Sequence, residues 1–201
     1  VSTRPDCIHR AYLEALLEWS QKYKKQVCIE LGLQTVNYRT LKEINRGHSL
    51  AEYLDAVMQI KAYPFSICTH IIADLPWDTM EDVVETAKCM SALKIDYVKL
   101  HALYIVKNTV LGKSYEKGEL QLLTLEEYKR RVIQFLRYLS PEIVVQRIIG
   151  RAPKEHTLYA NWNTSWWKIH DEIVAEMEGK GYVQGDLCHY LGGKAVRRFV
   201  K

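Results

Sequence analysis

At 201 residues and 23.5 kDa the chain is long enough for one well-buried domain and short for two. Its 48% hydrophobic and 26% charged content is that of a globular protein, and a net charge of +4 lacks the strongly basic stripe that would demand a polyanionic partner. No apolar run approaches the ~20 residues of a membrane span and no signal peptide is recognisable, so the expected location is the cytoplasm. The cysteines, Cys7, Cys28, Cys68, Cys89 and Cys188, are odd in number and widely spaced, which argues against a disulfide framework. No CxxC-like spacing points to a self-contained zinc or iron–sulfur site. The chain opens at Val1 in mid-pattern and reads as part of a longer protein.

In chain order, the spacing of Ile8, Tyr12, Leu13, Leu16 and Leu17 predicts a helix over 8–20, followed by a short buried strand at 27–31. Leu50, Tyr53, Leu54, Val57 and Ile60 form a helical stripe closed by Pro64, and 66–72 is a second strand. Asp78 with Glu81 matches a capping box for a helix that turns Val83, Val84, Ala87 and Met90 inward. A third strand is expected over 95–100. Thr124 with Glu127 caps another helix that stops before Pro141, then come a strand over 143–149 and a last helix over 164–178. Alternating strands and helices imply parallel pairing through right-handed crossovers. The stretch from Tyr182 to Lys201, with Lys194, Arg197, Arg198 and Lys201, reads as a surface extension.

Polar residues gather where the strands end, at Thr3–Asp6, Glu30–Thr35, Asn45–His48 and His70–Pro76, and parallel-sheet enzymes place their chemistry there. Strand alternation puts Glu30, Gly32 and Gln34 on one face; Gln34 can donate to and accept from a ribose or carboxylate, and Gly32 leaves room for a ligand. The plainer reading makes Glu30 the buried partner of a neighbouring base and Gly32 a relief of crowding. Arg46 has the fork geometry to clamp a carboxylate. His70 sits on the same face as Cys68, and a lone strand histidine is more often a bonded core residue than a ligand. Glu30, Lys99 and His101 are expected to face the interior and to pair with one another or with a ligand, since unpaired charges there are costly. For Trp162, Trp166 and Trp167, core packing is preferred over base stacking.

Taken together, Thr3-Arg4-Pro5-Asp6-Cys7, Glu30-Leu31-Gly32-Leu33-Gln34-Thr35, Ile44-Asn45-Arg46-Gly47-His48, Thr69 through Pro76, Lys99-Leu100-His101, Tyr115 through Glu119 and Arg147-Ile148-Ile149-Gly150 resemble radical S-adenosylmethionine enzymes. Within that superfamily they look like the bacterial group similar to the Elongator catalytic subunit and to oxygen-independent coproporphyrinogen oxidase. The resemblance runs over about 2–180. It implies an α/β fold, a partial (β/α) barrel of parallel strands from the later part of a (β/α)6 barrel, with a C-terminal helix–strand–helix extension. Residues 1–122 would be the barrel part and 123–201 the extension packed on it.

The resemblance further implies S-adenosylmethionine bound across the strand ends, with Gln34, Arg46 and His70 contacting its methionine and ribose parts. The parent would use a [4Fe–4S] cluster, reduced by a donor such as flavodoxin or ferredoxin, to generate a 5′-deoxyadenosyl radical. The Elongator-like pattern makes tRNA modification the leading substrate. Relatives usually read Gly-Leu-Pro-Gly-Glu-Thr where this chain has Asp74 through Thr79, so Asp74 and Trp77 are expected to reshape the adenine side. The family's three-cysteine cluster loop is absent, so this chain by itself is expected to be inactive and to self-associate. The alternative is a cluster-free barrel that binds a nucleotide-like ligand as an accessory module. A phosphate-handling barrel is disfavoured for want of a Gly-rich anion loop.

Overall fold

A computed structural model describes residues 1–153 and 155–196. Its centre is a parallel five-stranded sheet in the order β1 (Ser2–Thr3), β2 (Cys28–Gln34), β3 (Ser66–Ile72), β4 (Tyr97–His101) and β6 (Val144–Arg147). The chain leaves this sheet after β4 to form an antiparallel ribbon from β5 (Tyr104–Val106) and β7 (Thr157–Ala160). The helices are α1 (Arg10–Tyr23), α2 (Tyr38–Glu43), α3 (Leu50–Lys61), α4 (Met80–Ala92), α5 (Val110–Glu116), α6 (Leu125–Tyr138) and α7 (Trp166–Gly179). None is long and apolar enough to cross a membrane.

The two faces of each strand divide by residue parity. Ile29, Leu31, Leu33, Ile67, Ile71, Val98 and Leu100 are buried in one apolar core with helix residues at i, i+3, i+4 and i+7. Those residues are Tyr53, Ala56, Val57 and Ile60 of α3 and Val83, Ala87 and Met90 of α4. Tyr53, fully buried, satisfies its hydroxyl on Thr69 Oγ1 at 2.6 Å. The other face bears Glu30, His70, Lys99 and His101.

The expected elements are present, with shifted ends and several corrections. The helix after β3 is not capped by Asp78 and Glu81. Thr79 accepts from the Asp82 N–H and Asp82 bonds back to the Thr79 N–H, one residue further on. Asp78 is instead buried, bonding the Thr40 hydroxyl of α2 at 2.5 Å. The capping box at Thr124 and Glu127 forms as expected. Helices α2 and α5 and the β5–β7 ribbon were not anticipated, because each is too short for its own periodicity to show. Core packing holds only for Trp162, whose Nε1 donates to the Leu123 carbonyl at 2.7 Å; Trp166 and Trp167 are exposed. The stretch after α7 is tied down: Gln184 Nε2 bonds the Ser140 and Ile143 carbonyls, and Tyr190 OH bonds the Tyr138 carbonyl. Lys194 is exposed, while Arg197, Arg198 and Lys201 lie outside the described residues.

Candidate active site

Three strands bring the candidate residues to one end of the sheet. Gly32 is the register partner of His70, and His70 of Lys99. After Gly32 the β2–β3 pairing slips by one residue, and Gln34 takes a left-handed φ of 75°, unusual for a residue with a side chain. Both devices aim the Gln34 amide back over Gly32. A Cβ at Gly32 would collide with the Arg46 guanidinium and lie 2.8 Å from Gln34 Nε2, so the absence of a side chain admits both groups.

Arg46 is held from below. Its Nη2 donates to the Gly32 carbonyl at 2.9 Å, and its Nε donates to His48 Nε2 at 3.0 Å. His48 is packed between two carbonyl oxygens, with Nδ1 3.2 Å from Ser49 O and Nε2 3.0 Å from Gly32 O, so it braces the guanidinium against the β2 backbone. Burial lowers the Arg46 pKa somewhat, and the guanidinium remains a cation. Arg4, paired with Asp6, stands beside Gly47 and brings a second guanidinium to the same end.

Below this end a continuous hydrogen-bonded row crosses the sheet. Lys99 Nζ and His70 Nε2 each contact one Glu30 carboxylate oxygen at 2.7 Å. His101 Nε2 is 3.1 Å from His70 Nδ1, and Arg147 Nη2 lies against the His101 ring, 2.9 Å from Nε2 and 3.1 Å from Nδ1. With both rings neutral, the Glu30 contact makes His70 Nε2 a donor and its Nδ1 the acceptor of His101 Nε2–H, which leaves His101 Nδ1 to accept from Arg147. Hydrogen bonding from Lys99, aided by His70, holds the Glu30 carboxyl down at about 2. Burial, with Arg147 next in weight, pushes His101 down to about 3, and burial also lowers His70. The row is therefore two neutral imidazoles between a carboxylate and a guanidinium.

Glu30 and Lys99 pair directly, as expected, whereas His101 reaches them only through His70. Gln34, Arg46 and His70 also share one strand end. His70 differs from expectation in one respect: both its nitrogens are engaged within the row, so it offers the cleft its ring. A cleft of about 200 Å3 lies there, lined by Gln34, His70, Ile72, His101, Leu103 and Tyr104. Asp74 is fully buried and accepts the Leu103 N–H at 2.7 Å, tying the loop after β3 to the wall of this cleft. Trp77 does not line it; it lines a separate cleft with Ile44, Val110 and Leu120.

Arg147 begins one of the motifs that carry the resemblance, but its place in the row was not foreseen, and Asp74, expected on the adenine side, is a buried tie to the cleft wall. Arg147 reaches the row through a register slip between β4 and β6 that aligns it with Lys99, and no local pattern encodes that. His48 and Arg4 stood within quoted motifs, but their part in fixing Arg46 depends on contacts between separate loops.

Comparison with known proteins agrees with this architecture. The Radical SAM superfamily model matches residues 1–90 and the Radical_SAM C-terminal domain model matches residues 95–179. The chain is 35% identical over 191 residues to the uncharacterized protein YtqA of Bacillus subtilis, covering 95% of this chain and 59% of that protein. It is 34% identical to protein YhcC of Escherichia coli, covering 92% and 59%. A tRNA-2-methylthio-N(6)-dimethylallyladenosine synthase of Prosthecochloris aestuarii is 29% identical, covering 87% and 39%. Among solved structures, the archaeal Methanocaldococcus infernus Elp3 shares the fold with a TM-score of 0.76 at 20% identity, covering 91% of this chain and 42% of that one. The chain thus spans about three-fifths of the length of YtqA and YhcC. It belongs to the radical S-adenosylmethionine superfamily, with YtqA and YhcC among its relatives.

Proposed function

We propose that this chain forms the later barrel strands of a radical S-adenosylmethionine enzyme, that its strand-end cleft receives S-adenosylmethionine, and that the complete enzyme modifies tRNA. The observation that supports the cofactor site is the placement of Arg46 and Gln34 over a bare Gly32 backbone. The residues fit the cofactor's parts. Arg46 uses Nε and Nη2 on His48 and Gly32, and its Nη1 is left to meet a carboxylate. The Gln34 amide matches ribose hydroxyls, which both donate and accept. His70 walls the cleft with its ring and, being neutral, adds no repulsion toward a sulfonium cation, while Glu30 neutralises the Lys99 ammonium behind it.

When bound and reduced by one electron, S-adenosylmethionine supplies a 5′-deoxyadenosyl radical. A [4Fe–4S] cluster does not fit the residues of this chain. Cys7, Cys28, Cys68, Cys89 and Cys188 are spread over separate elements, and among the described residues no three His, Cys, Asp or Glu side chains converge as ligands. In this reading the cluster, and docking of a flavodoxin- or ferredoxin-like donor, belong to other parts of the complete protein. The tRNA assignment is supported by the tRNA-modifying relative and by the net positive charge.

Calorimetric titration of S-adenosylmethionine into the full-length protein tests the site. Arg46→Gln should weaken binding about tenfold or more, because a charge-assisted contact is worth ~1.5–3 kcal/mol. Unchanged affinity in Arg46→Gln and Gln34→Ala together would remove the cleft as the cofactor site. Loss of a modified nucleoside from the tRNA of a deletion strain is the expected sign of the substrate.

A further inference from the structure

We propose that the groove between β7 and the start of α7 holds a single-stranded segment of RNA, with bases stacked on Trp166 and Trp167. The proposal rests on the tRNA reading and names the surface that serves it. Three consecutive left-handed residues, Asn161, Trp162 and Asn163, with φ of 48°, 51° and 55°, connect β7 to α7. They turn Trp162 inward, where its ring meets Tyr128 at 5.0 Å between centroids. The next two tryptophans are left outward, 42% and 57% exposed. Helix α7 is anchored through Ile169 and Ile173, both fully buried, so the exposed rings are not what holds it. Two neighbouring indoles that line one groove form a contiguous apolar patch, and such a patch, unlike a single exposed ring, marks an interaction surface.

The groove has a volume of about 460 Å3, within the range of ligand sites at ~300–1,000 Å3. Tyr159, Trp166 and Trp167 supply aromatic surface, while Asn163 and Thr164 supply hydrogen-bonding groups. Among the described residues that line it, Arg151 is the one with a charge and none is a carboxylate. Aromatic platforms beside a cation, without opposing acid, suit a strand of bases linked by phosphates. An apolar peptide would leave these amides and hydroxyls unpaired.

Position supports the same occupant. Ala160, on the groove, is the register partner of Tyr104, on the strand-end cleft. Adjacent strands lie ~4.8 Å apart, so one polymer can cross the ribbon, set one nucleotide at the cleft and lay its neighbours along the groove. A free small molecule has no use for that continuity.

The test is fluorescence anisotropy of the full-length protein with a labelled oligouridylate of about a dozen nucleotides and, separately, with unfractionated tRNA. Trp166→Ala and Trp167→Ala should each weaken binding about tenfold, while Trp166→Phe and Trp167→Phe keep it within about threefold, because stacking survives. Arg151→Gln should lower the slope of log affinity against log salt by about one. Circular dichroism checks folding; should an alanine variant misfold, Arg151→Gln still decides. RNA binding by wild type that the folded alanine variants and Arg151→Gln match overturns the groove and leaves the tRNA reading standing. Failure of wild type to bind either RNA overturns both, and S-adenosylmethionine binding is judged separately.

Discussion

Asp74 is a buried carboxyl that burial pushes up to about 7, opposed only in part by the Leu103 N–H and by Arg131. Its folded-state pKa lies above its unfolded value, so the folded protein holds a proton that the unfolded chain has released. Stability should therefore fall as pH rises from about 4 to about 7, by at most ~4 kcal/mol over that interval, and level off above it. Glu30 works in the opposite sense in a lower window: held down at about 2, it stabilises the fold above its unfolded pKa and loses that contribution as pH falls toward 2. Urea unfolding of Asp74→Asn between about pH 5 and pH 8 should show the neutral-side slope removed. A slope equal to wild type would mean that Asp74 is already ionised across this range. At Gly32 the expectation is steric. Gly32→Ala should displace Arg46 and weaken S-adenosylmethionine binding by more than tenfold while the protein remains folded, as titration and circular dichroism would show.

At the scale of elements, the turn between β3 and α4 separates two jobs that adjacent residues perform. Thr79 caps α4, so Thr79→Ala should cost about 1 kcal/mol in urea unfolding and leave the site intact. Asp78, buried next door, ties α2 to this turn through Thr40, and its backbone carbonyl accepts from Arg131 Nη2 at 2.5 Å. Asp78→Ala leaves the Thr40 hydroxyl buried without its partner, so the loss should be larger, ~2–3 kcal/mol. Equal losses from the two variants would contradict this division. The same arginine also bonds the carbonyls of Ala73 and Leu75, so α6 grips the loop that carries Asp74 to the cleft wall.

For the whole molecule, the scattered cysteines make a direct expectation. Anaerobic reconstitution of the 201-residue chain with iron and sulfide should leave iron far below one cluster per chain, whereas the full-length protein should take up a cluster with its charge-transfer absorbance. A stoichiometric cluster on the shorter chain would require cysteines to converge that the sheet holds apart. The tRNA reading adds that retention of tRNA by the complete protein falls steeply with salt, while equal, negligible retention at low and moderate salt would count against it.

The order of strands and helices, the apolar parity of β2 through β4 and the motifs that mark their ends were legible in the sequence, because period-2 and period-3.6 patterns are local and each residue carries its own polarity. Glu30, Lys99 and His101 could be foreseen on one face for the same reason. The row that joins them to His70 and Arg147 could not, since it depends on register between strands separated by 31 to 69 positions in the chain and on a slip between β4 and β6. Local pattern also misassigned the cap of α4 by one residue, because Asp78 and Thr79 are equally good caps until Thr40 and Arg131 claim the first. Likewise Trp162, Trp166 and Trp167 are alike as residues, and only the left-handed turn at 161–163 sends one into the core and leaves two facing water. Composition and periodicity decide what each element is made of; which side chains meet is set by how the elements pack.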